Sequence, residues 1–209
     1  MRNRHSRGLR AGPLPILESA LGEWLELMEE DRRWGKKDAP WWYNERALLS
    51  LFAGAIWKSE GWVFEEYTTS KGKEQEHRKK RQRFSGRGDI EFHIGRQKFQ
   101  GEAKPCYPSL TRGLEDPVNQ IQETLSEACR DVRQLPHYRR YRRVGIVFAS
   151  PCLVETRSEI CQVRIKAFAQ YLEEFEGAAR AWTFPPKGAH LRAGDYIYPG
   201  AAILIRPLG

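Results

Sequence analysis

The stretch Arg87–Pro105, with the sequence RGDIEFHIGRQKFQGEAKP, decides the fold of this chain. Apolar and polar residues alternate on both sides of Gly95-Arg96, which predicts two strands that each bury one face. A glycine at the first central position suits a two-residue type II′ turn, so we predict a β-hairpin.

The two-residue turn sets the pairing of the predicted strands. If Ile94 faces Gln97 beside the turn, counting back along both strands places Asp89 opposite Glu102. Directly opposed residues have Cβ atoms about 5 Å apart, and two carboxylates at that distance repel each other. A divalent cation would remove the repulsion, because hard cations take carboxylate oxygens as ligands. Lys104 follows on the same face, so the hairpin predicts a metal site beside an ammonium group.

The composition favours a polyanionic partner. The chain has 209 residues, a formal net charge of +8 and a pI near 9.4, and its positive charge is clustered. We therefore expect binding to nucleic acid, DNA ahead of RNA, although a solvated basic surface is the simpler alternative. The residues predicted to contact nucleic acid are Lys71, Lys73, Lys79, Lys80, Arg81, Arg83, Arg87, Arg139 and Arg140.

The spacing of the cysteines and the lengths of the apolar runs indicate the cellular compartment. None of the four cysteines forms a C-x-x-C pair, and the five histidines show no zinc-site spacing. No apolar run approaches the length of a membrane span. We therefore expect a reduced, cytoplasmic protein with no membrane partner.

Hydrophobic periodicity predicts an α/β fold, with a mixed β-sheet flanked by helices. We expect one domain over residues 1–209, with a mobile basic arm at 1–14 and a basic loop at 68–87. Asp38-Ala39-Pro40 and Asp116-Pro117 are predicted to cap and open two of the helices. The predicted elements are helices at about 16–33, 38–61, 116–135 and 157–175, the two hairpin strands, and strands at 62–67, 144–149, 181–184 and 202–206.

Several of these features together resemble one family, the PD-(D/E)XK, or restriction-endonuclease-like, nucleases. The residues that carry the resemblance are Asp89, the triplet Glu102-Ala103-Lys104, and Glu45 on the preceding predicted helix. The resemblance covers about residues 40 to 150, and a glycine, Gly88, stands where the family's namesake proline would be. It implies a restriction-endonuclease-like core to which this chain adds an N-terminal helix.

The resemblance also implies an activity, that of a magnesium-dependent endonuclease that hydrolyses phosphodiester bonds. It implies that Mn²⁺ substitutes for Mg²⁺ and that Lys104 orients or deprotonates the attacking water. Glu45 would bind a second metal, directly or through water, and Gln122 on the following helix is a further candidate. The implied ligands of the first metal are Asp89, Glu102 and the carbonyl group of Ala103.

Other interpretations of the same residues stay open. Asp89 could serve as a turn residue, while Glu102 and Lys104 could form an exposed polar face. In that case the chain would be a non-catalytic nucleic-acid-binding module on the same fold. A third alternative is a subunit directed by a protein partner, or a homodimer. For Gln122, the simpler interpretation is a residue at the edge of an apolar stripe.

Overall fold

A seven-stranded mixed sheet forms the centre of the protein. The computed structural model describes residues 6–30, 38–73, 82–136, 138, 140–154 and 158–209. The strands are β1 (Arg7–Arg10), β2 (Trp62–Lys73), β3 (Gln82–Ile94), β4 (Gln97–Cys106), β5 (Tyr141–Ala149), β6 (Leu153–Val154), β7 (Ala179–Thr183), β8 (Arg192–Ala193), β9 (Tyr196–Ile197) and β10 (Ala201–Pro207). The large sheet has the order β1-β7-β10-β5-β4-β3-β2, and β6, β9 and β8 form a separate small sheet.

Helices cover both faces of the large sheet. Among the described residues the helices are α1 (Glu18–Glu29), α2 (Glu45–Lys58), α3 (Glu115–Arg133) and α4 (Ser158–Glu174). One apolar core lies between the sheet and α1 and α2, and a second lies between the sheet and α3 and α4. In the large sheet only β4 and β5 run parallel. The predicted mixed sheet flanked by helices is therefore confirmed.

The β3–β4 hairpin has the predicted register. Ile94 pairs with Gln97, and Phe92 pairs with Phe99, whose ring stacks on it with 4.7 Å between centroids. Gly95 has a φ of +56°, whereas φ of the residue after it is not positive, as a type II′ turn requires. The alternation of apolar residues and the turn glycine thus specify the same pairing.

The helix predicted to start at Asp38-Ala39-Pro40 starts later. Pro40–Trp42 forms a single 3₁₀ turn, and α2 begins at Glu45 after Asn44, whose side chain accepts a hydrogen bond from the amide of Ala47 at 3.0 Å. Asp38 instead accepts a hydrogen bond from the indole of Trp42 at 3.0 Å. The prediction was wrong because an asparagine further along the chain supplies the N-cap.

The basic loop predicted at 68–87 is largely strand. The β2–β3 ladder runs from the core through Thr68 opposite Arg87 to Lys73 opposite Gln82. The prediction relied on the scarcity of apolar residues, but the ladder is built from backbone groups, which can pair whatever side chains the strands carry. Residues 74–81 lie outside the described part of the chain.

The basic arm predicted at 1–14 is also largely ordered. Residues 7–10 form β1, which pairs with β7 at the edge of the sheet, and Leu14 is fully buried. Gly8 permits a close approach, because a Cβ there would lie 2.1 Å from the ring of Trp182. A polar strand with a distant partner carries no periodic signal of its own. Residues 1–5 lie outside the described part of the chain.

The helix predicted at 116–135 is present and forms the crossover between the parallel strands β4 and β5. The helix α3 begins at Glu115 without a side-chain cap, so Asp116 and Pro117 lie inside its first turn, which corrects the predicted cap. The predicted strand at 144–149 lies within β5 and is buried on both faces, because Val144, Ile146 and Phe148 face one apolar core and Val147 and Ala149 face the other. The helix α4 and the strands β7 and β10 lie within a few residues of their predicted positions.

Candidate active site

The ladder between β3 and β4 ends at the candidate aspartate. Regular pairing stops at Ile90 opposite Gly101. Beyond it, the Asp89 carboxylate accepts a hydrogen bond from the backbone amide of Ala103 through Oδ2 at 2.8 Å. The side chain therefore takes the place of a backbone acceptor and is held against the segment of β4 that carries Glu102.

Glu102 lies in the interior of the site. It is only 3% exposed and pairs with Gly145 on the parallel strand β5. A Cβ at Gly145 would lie 2.7 Å from the sulfur of Cys129, so the glycine lets α3 pack tightly over this part of the sheet. A carboxylate buried this deeply needs compensating positive charge or hydrogen-bond donors.

Lys104 forms an ion pair that the sequence did not predict. Its Nζ lies 2.8 Å from Oδ2 of Asp131, near the end of α3. Burial lowers the pKa of Lys104, but the hydrogen bond and charge of Asp131, with the charges of Asp89 and Glu45, outweigh burial and leave the pKa raised. The available signal was an acidic residue next to the buried Val132, at the edge of the apolar stripe of α3.

Glu45 shares the electrostatic environment of these residues. Burial raises the pKa of its carboxyl group, the negative charge of Asp89 raises it further, and the ammonium of Lys104 partly opposes both. The first turn of α2 therefore brings Glu45 within electrostatic range of Asp89 and Lys104. Glu102 lies two residues before Lys104 on β4. The structure therefore brings together four of the residues that the sequence singled out, which are Glu45, Asp89, Glu102 and Lys104.

Tyr67 on β2 is a further residue of the site that the sequence analysis missed. Burial raises the pKa of its hydroxyl group, and the charges of Glu91, Glu102 and Asp89 add to the effect. The buried hydroxyl makes no hydrogen bond to any residue that the structure describes. Its ring covers Gly88, where a Cβ would lie 2.5 Å from Cζ. Gly88 thus leaves room for an aromatic ring.

The side chains do not by themselves form a metal cluster. Within the described ranges, no three or more His, Cys, Asp or Glu side chains are grouped so that they could hold a metal ion. The ligand set implied by the resemblance contains only two such side chains, together with the carbonyl of Ala103. That ligand set stays a prediction.

The other predicted residues are spread over the molecule. Gln122 is exposed on α3 and lines an open cavity of about 370 Å³ with Tyr171 and Arg206, apart from the other candidates. Arg87 forms an ion pair with Glu66 at 3.3 Å, and Arg140 is exposed. The remaining side chains lie outside what the structure describes: Lys71, Lys73, Lys79, Lys80, Arg81, Arg83 and Arg139.

Comparison with known proteins does not identify a family. The chain matched no family model, no curated protein and no solved structure. None of the helices in the described residues is long and apolar enough to cross a membrane. Function must therefore be argued from the site itself.

Proposed function

We propose that this protein is a metal-dependent nuclease with a restriction-endonuclease-like core. The order α2-β2-β3-β4-α3-β5 supports this proposal, because three antiparallel strands are followed by a crossover helix and a parallel strand. In this view α1 is the added N-terminal helix. DNA is the favoured substrate over RNA, and the protein is an endonuclease.

One observation carries the proposal. The Asp89 carboxylate is anchored on the Ala103 amide, in the middle of the triplet Glu102-Ala103-Lys104. This contact brings Asp89 and Glu102 to the point where β3 and β4 separate. The ammonium of Lys104 lies on β4, the strand that also carries Glu102. A polar cross-strand face with no further role would not need a buried glutamate at this point.

The residues present fit a hard divalent cation. Burial is the largest cause of the raised pKa of Glu45 and of Tyr67, and the smaller part that neighbouring carboxylates add reflects an excess of negative charge in the site. A hydrated cation would relieve that excess and bring water O–H donors to the hydroxyl of Tyr67. The ion, Mg²⁺ or Mn²⁺, would be held by Asp89, Glu102 and the carbonyl of Ala103.

The chain's own groups have distinct roles in this proposal. Bound in the site, the metal supplies positive charge against the scissile phosphate and makes a water more acidic. Because Lys104 is held as an ammonium group by Asp131, we assign it the orientation of the attacking water and the stabilisation of developing negative charge. Glu45, which lies within electrostatic range of Asp89 and Lys104, would bind a second metal ion, directly or through water.

The direct test is cleavage of defined nucleic acids by the purified chain. Single-stranded, duplex and forked DNA, and the matching RNAs, would be incubated with Mg²⁺, Mn²⁺ or EDTA. We expect metal-dependent cleavage that Asp89→Asn, Glu102→Gln and Lys104→Met each reduce by at least about 100-fold, since each removes charge from the reacting centre. Glu123→Gln and Lys166→Met are matched controls, because both residues are exposed on the helices that cover the site face.

Thermal unfolding separates the nuclease from a non-catalytic binding module. A metal that binds only the folded chain raises its midpoint by mass action. Mg²⁺ or Mn²⁺ should therefore raise the midpoint of the wild type and of Glu123→Gln, but not that of Glu102→Gln. Cleavage by the Asp89→Asn variant at the wild-type rate would overturn the proposal. So would the absence of both cleavage and a metal-dependent shift, and the binding module would then be favoured.

A further inference from the structure

Two large aromatic side chains project into solvent from the edge of the sheet. Trp62 and Phe64 on β2 are 59% and 52% exposed, and their ring centroids are 6.5 Å apart. Val63 between them points to the opposite face and is buried against the core that α1 and α2 cover. Folding therefore gains little from either ring, and adjacent exposed aromatics of this kind mark contact surfaces.

The exposed rings continue into a row across four strands. Trp62 pairs with His93, His93 with Lys98, and Lys98 with Tyr141, so all four lie on the same face of the sheet. The rings of His93 and Tyr141 are 6.2 Å apart, and the exposed ring of Tyr138 lies 5.9 Å from that of Tyr141. We call these side chains the aromatic strip, which consists of Phe64, Trp62, His93, Tyr141 and Tyr138.

The charges around the aromatic strip suit an anionic partner. Nζ of Lys98 lies 5.6 Å from the ring centroid of Tyr141, and Arg140 is exposed next to the same strand. Glu91 lies directly opposite Phe64 on the neighbouring strand, and its carboxylate accepts a hydrogen bond from the hydroxyl of Tyr141 at 2.8 Å. The strip thus offers flat rings with two cations at its Tyr141 end.

The aromatic strip leads to the candidate active site. Asp89, Glu91 and His93 are alternate residues of β3 and point to the same face. At about 3.3 Å per residue, the row of His93 lies about 13 Å from Asp89. The helix α3 covers this face over β4, where Gln100 is only 1% exposed, and leaves it open over β2. A chain lying on the open part would therefore reach Asp89 along the sheet.

We propose that the aromatic strip binds unpaired nucleotides of a single-stranded nucleic acid, whose bases stack on Trp62 and Phe64. Bases in a duplex stack on one another, so only unpaired bases offer a free face to protein rings. The inference rests on the proposed nuclease function in one respect, that the bound strand leads to the site of cleavage. It makes the preferred substrate single-stranded, or a duplex with an unpaired flap or end.

Binding can be tested without cleavage. Fluorescence anisotropy in EDTA would compare a labelled 20-nucleotide oligothymidylate with a duplex of the same length. The variants Trp62→Leu and Phe64→Leu keep an apolar side chain but lose the ring, and each should weaken single-strand binding by roughly 5- to 150-fold. Tyr196→Leu is the matched control, because Tyr196 is 43% exposed on the separate small sheet.

Salt dependence separates stacking from charge. The slope of log affinity against log salt counts phosphate contacts, which the two leucine variants leave in place. Their affinity should fall at every salt concentration with an unchanged slope. Arg140→Gln should instead reduce the slope by about the contribution of one phosphate contact.

The results of these measurements distinguish the possible occupants of the aromatic strip. Equal affinity of the wild type for single strand and duplex would overturn the inference, as would unchanged single-strand affinity in both leucine variants. Self-association that both leucine variants abolish, with oligonucleotide affinity unchanged, would assign the aromatic strip to a second copy of the chain and also overturn it. Weakened single-strand binding in the leucine variants, with neither cleavage nor a metal-dependent thermal shift in the wild type, would retain this surface and reject the nuclease. Cleavage that depends on Asp89 but not on Trp62 or Phe64 would retain the nuclease and reject the role of this surface.

Discussion

The ion pair between Lys104 and Asp131 should make a measurable contribution to folding. A hydrogen bond to a charged group stabilises a protein by about 1.5–3 kcal/mol. Both side chains here are 33% exposed, so solvent screening reduces the contribution, and we expect a coupling free energy of about 1 kcal/mol. In a chain of this size that corresponds to roughly 2–4 °C in the thermal midpoint.

A double-mutant cycle measures this coupling directly. The free energy of unfolding in urea would be determined for the wild type, Lys104→Met, Asp131→Asn and the double variant. The ion pair of Arg10 and Glu173 is the control, because its side chains are 51% and 37% exposed, and we expect a coupling below about 0.5 kcal/mol there. A Lys104–Asp131 coupling no larger than that of the control would refute the role assigned to Asp131.

The pH dependence of the same coupling follows from the raised pKa of Lys104. A raised pKa in the folded state means that the ammonium contributes stability below the ordinary value of 10.5. That contribution is lost as the pH rises through the higher pKa of the folded state. The coupling should therefore be equal at pH 7 and pH 9 and decline only above pH 10.5. A decline between pH 7 and pH 9 would show that Lys104 is not held as an ammonium group.

One further substitution and one chemical reaction test the packing around the site. Gly101→Ala would place a Cβ 2.8 Å from Ile90 and 2.9 Å from Ile146. We therefore expect the free energy of unfolding to fall by about 1–3 kcal/mol, seen as a lower urea midpoint at an unchanged m-value. A stabilised variant would contradict this packing. Burial raises the pKa of Cys106 to about 11. Its thiol should therefore resist alkylation at pH 8 in the folded chain and react readily in urea. Equal alkylation rates in both states would show that the thiol is accessible in the folded chain.

The hairpin at the centre of the site was predictable because two independent local signals agree. The apolar alternation specifies which face of each strand is buried, and Gly95 specifies a two-residue turn. A shift of one residue would move every side chain to the opposite face, so the register follows from the pattern. The pairing of Phe92 with Phe99, and the closeness of Asp89 to the triplet, are consequences of that register.

Features that depend on distant partners were not predictable. The strand β1 has no apolar alternation and forms because β7 offers a free edge. The polar parts of β2 and β3 pair through backbone groups that are the same in every sequence. Asp131 joins the site only because α3 packs across β4, and Tyr67 because Gly88 leaves space beneath its ring.

The end of the β3–β4 ladder gives this protein a natural spectroscopic reporter. The amide proton of Ala103 is bonded to a carboxylate that lies 14 residues earlier in the chain. The resonance frequency of an amide proton depends on the charge of its acceptor, so this one signal should respond to any change in the charge of Asp89. In an isotopically labelled sample, a single NMR cross-peak would follow the state of the carboxylate without any substitution in the site.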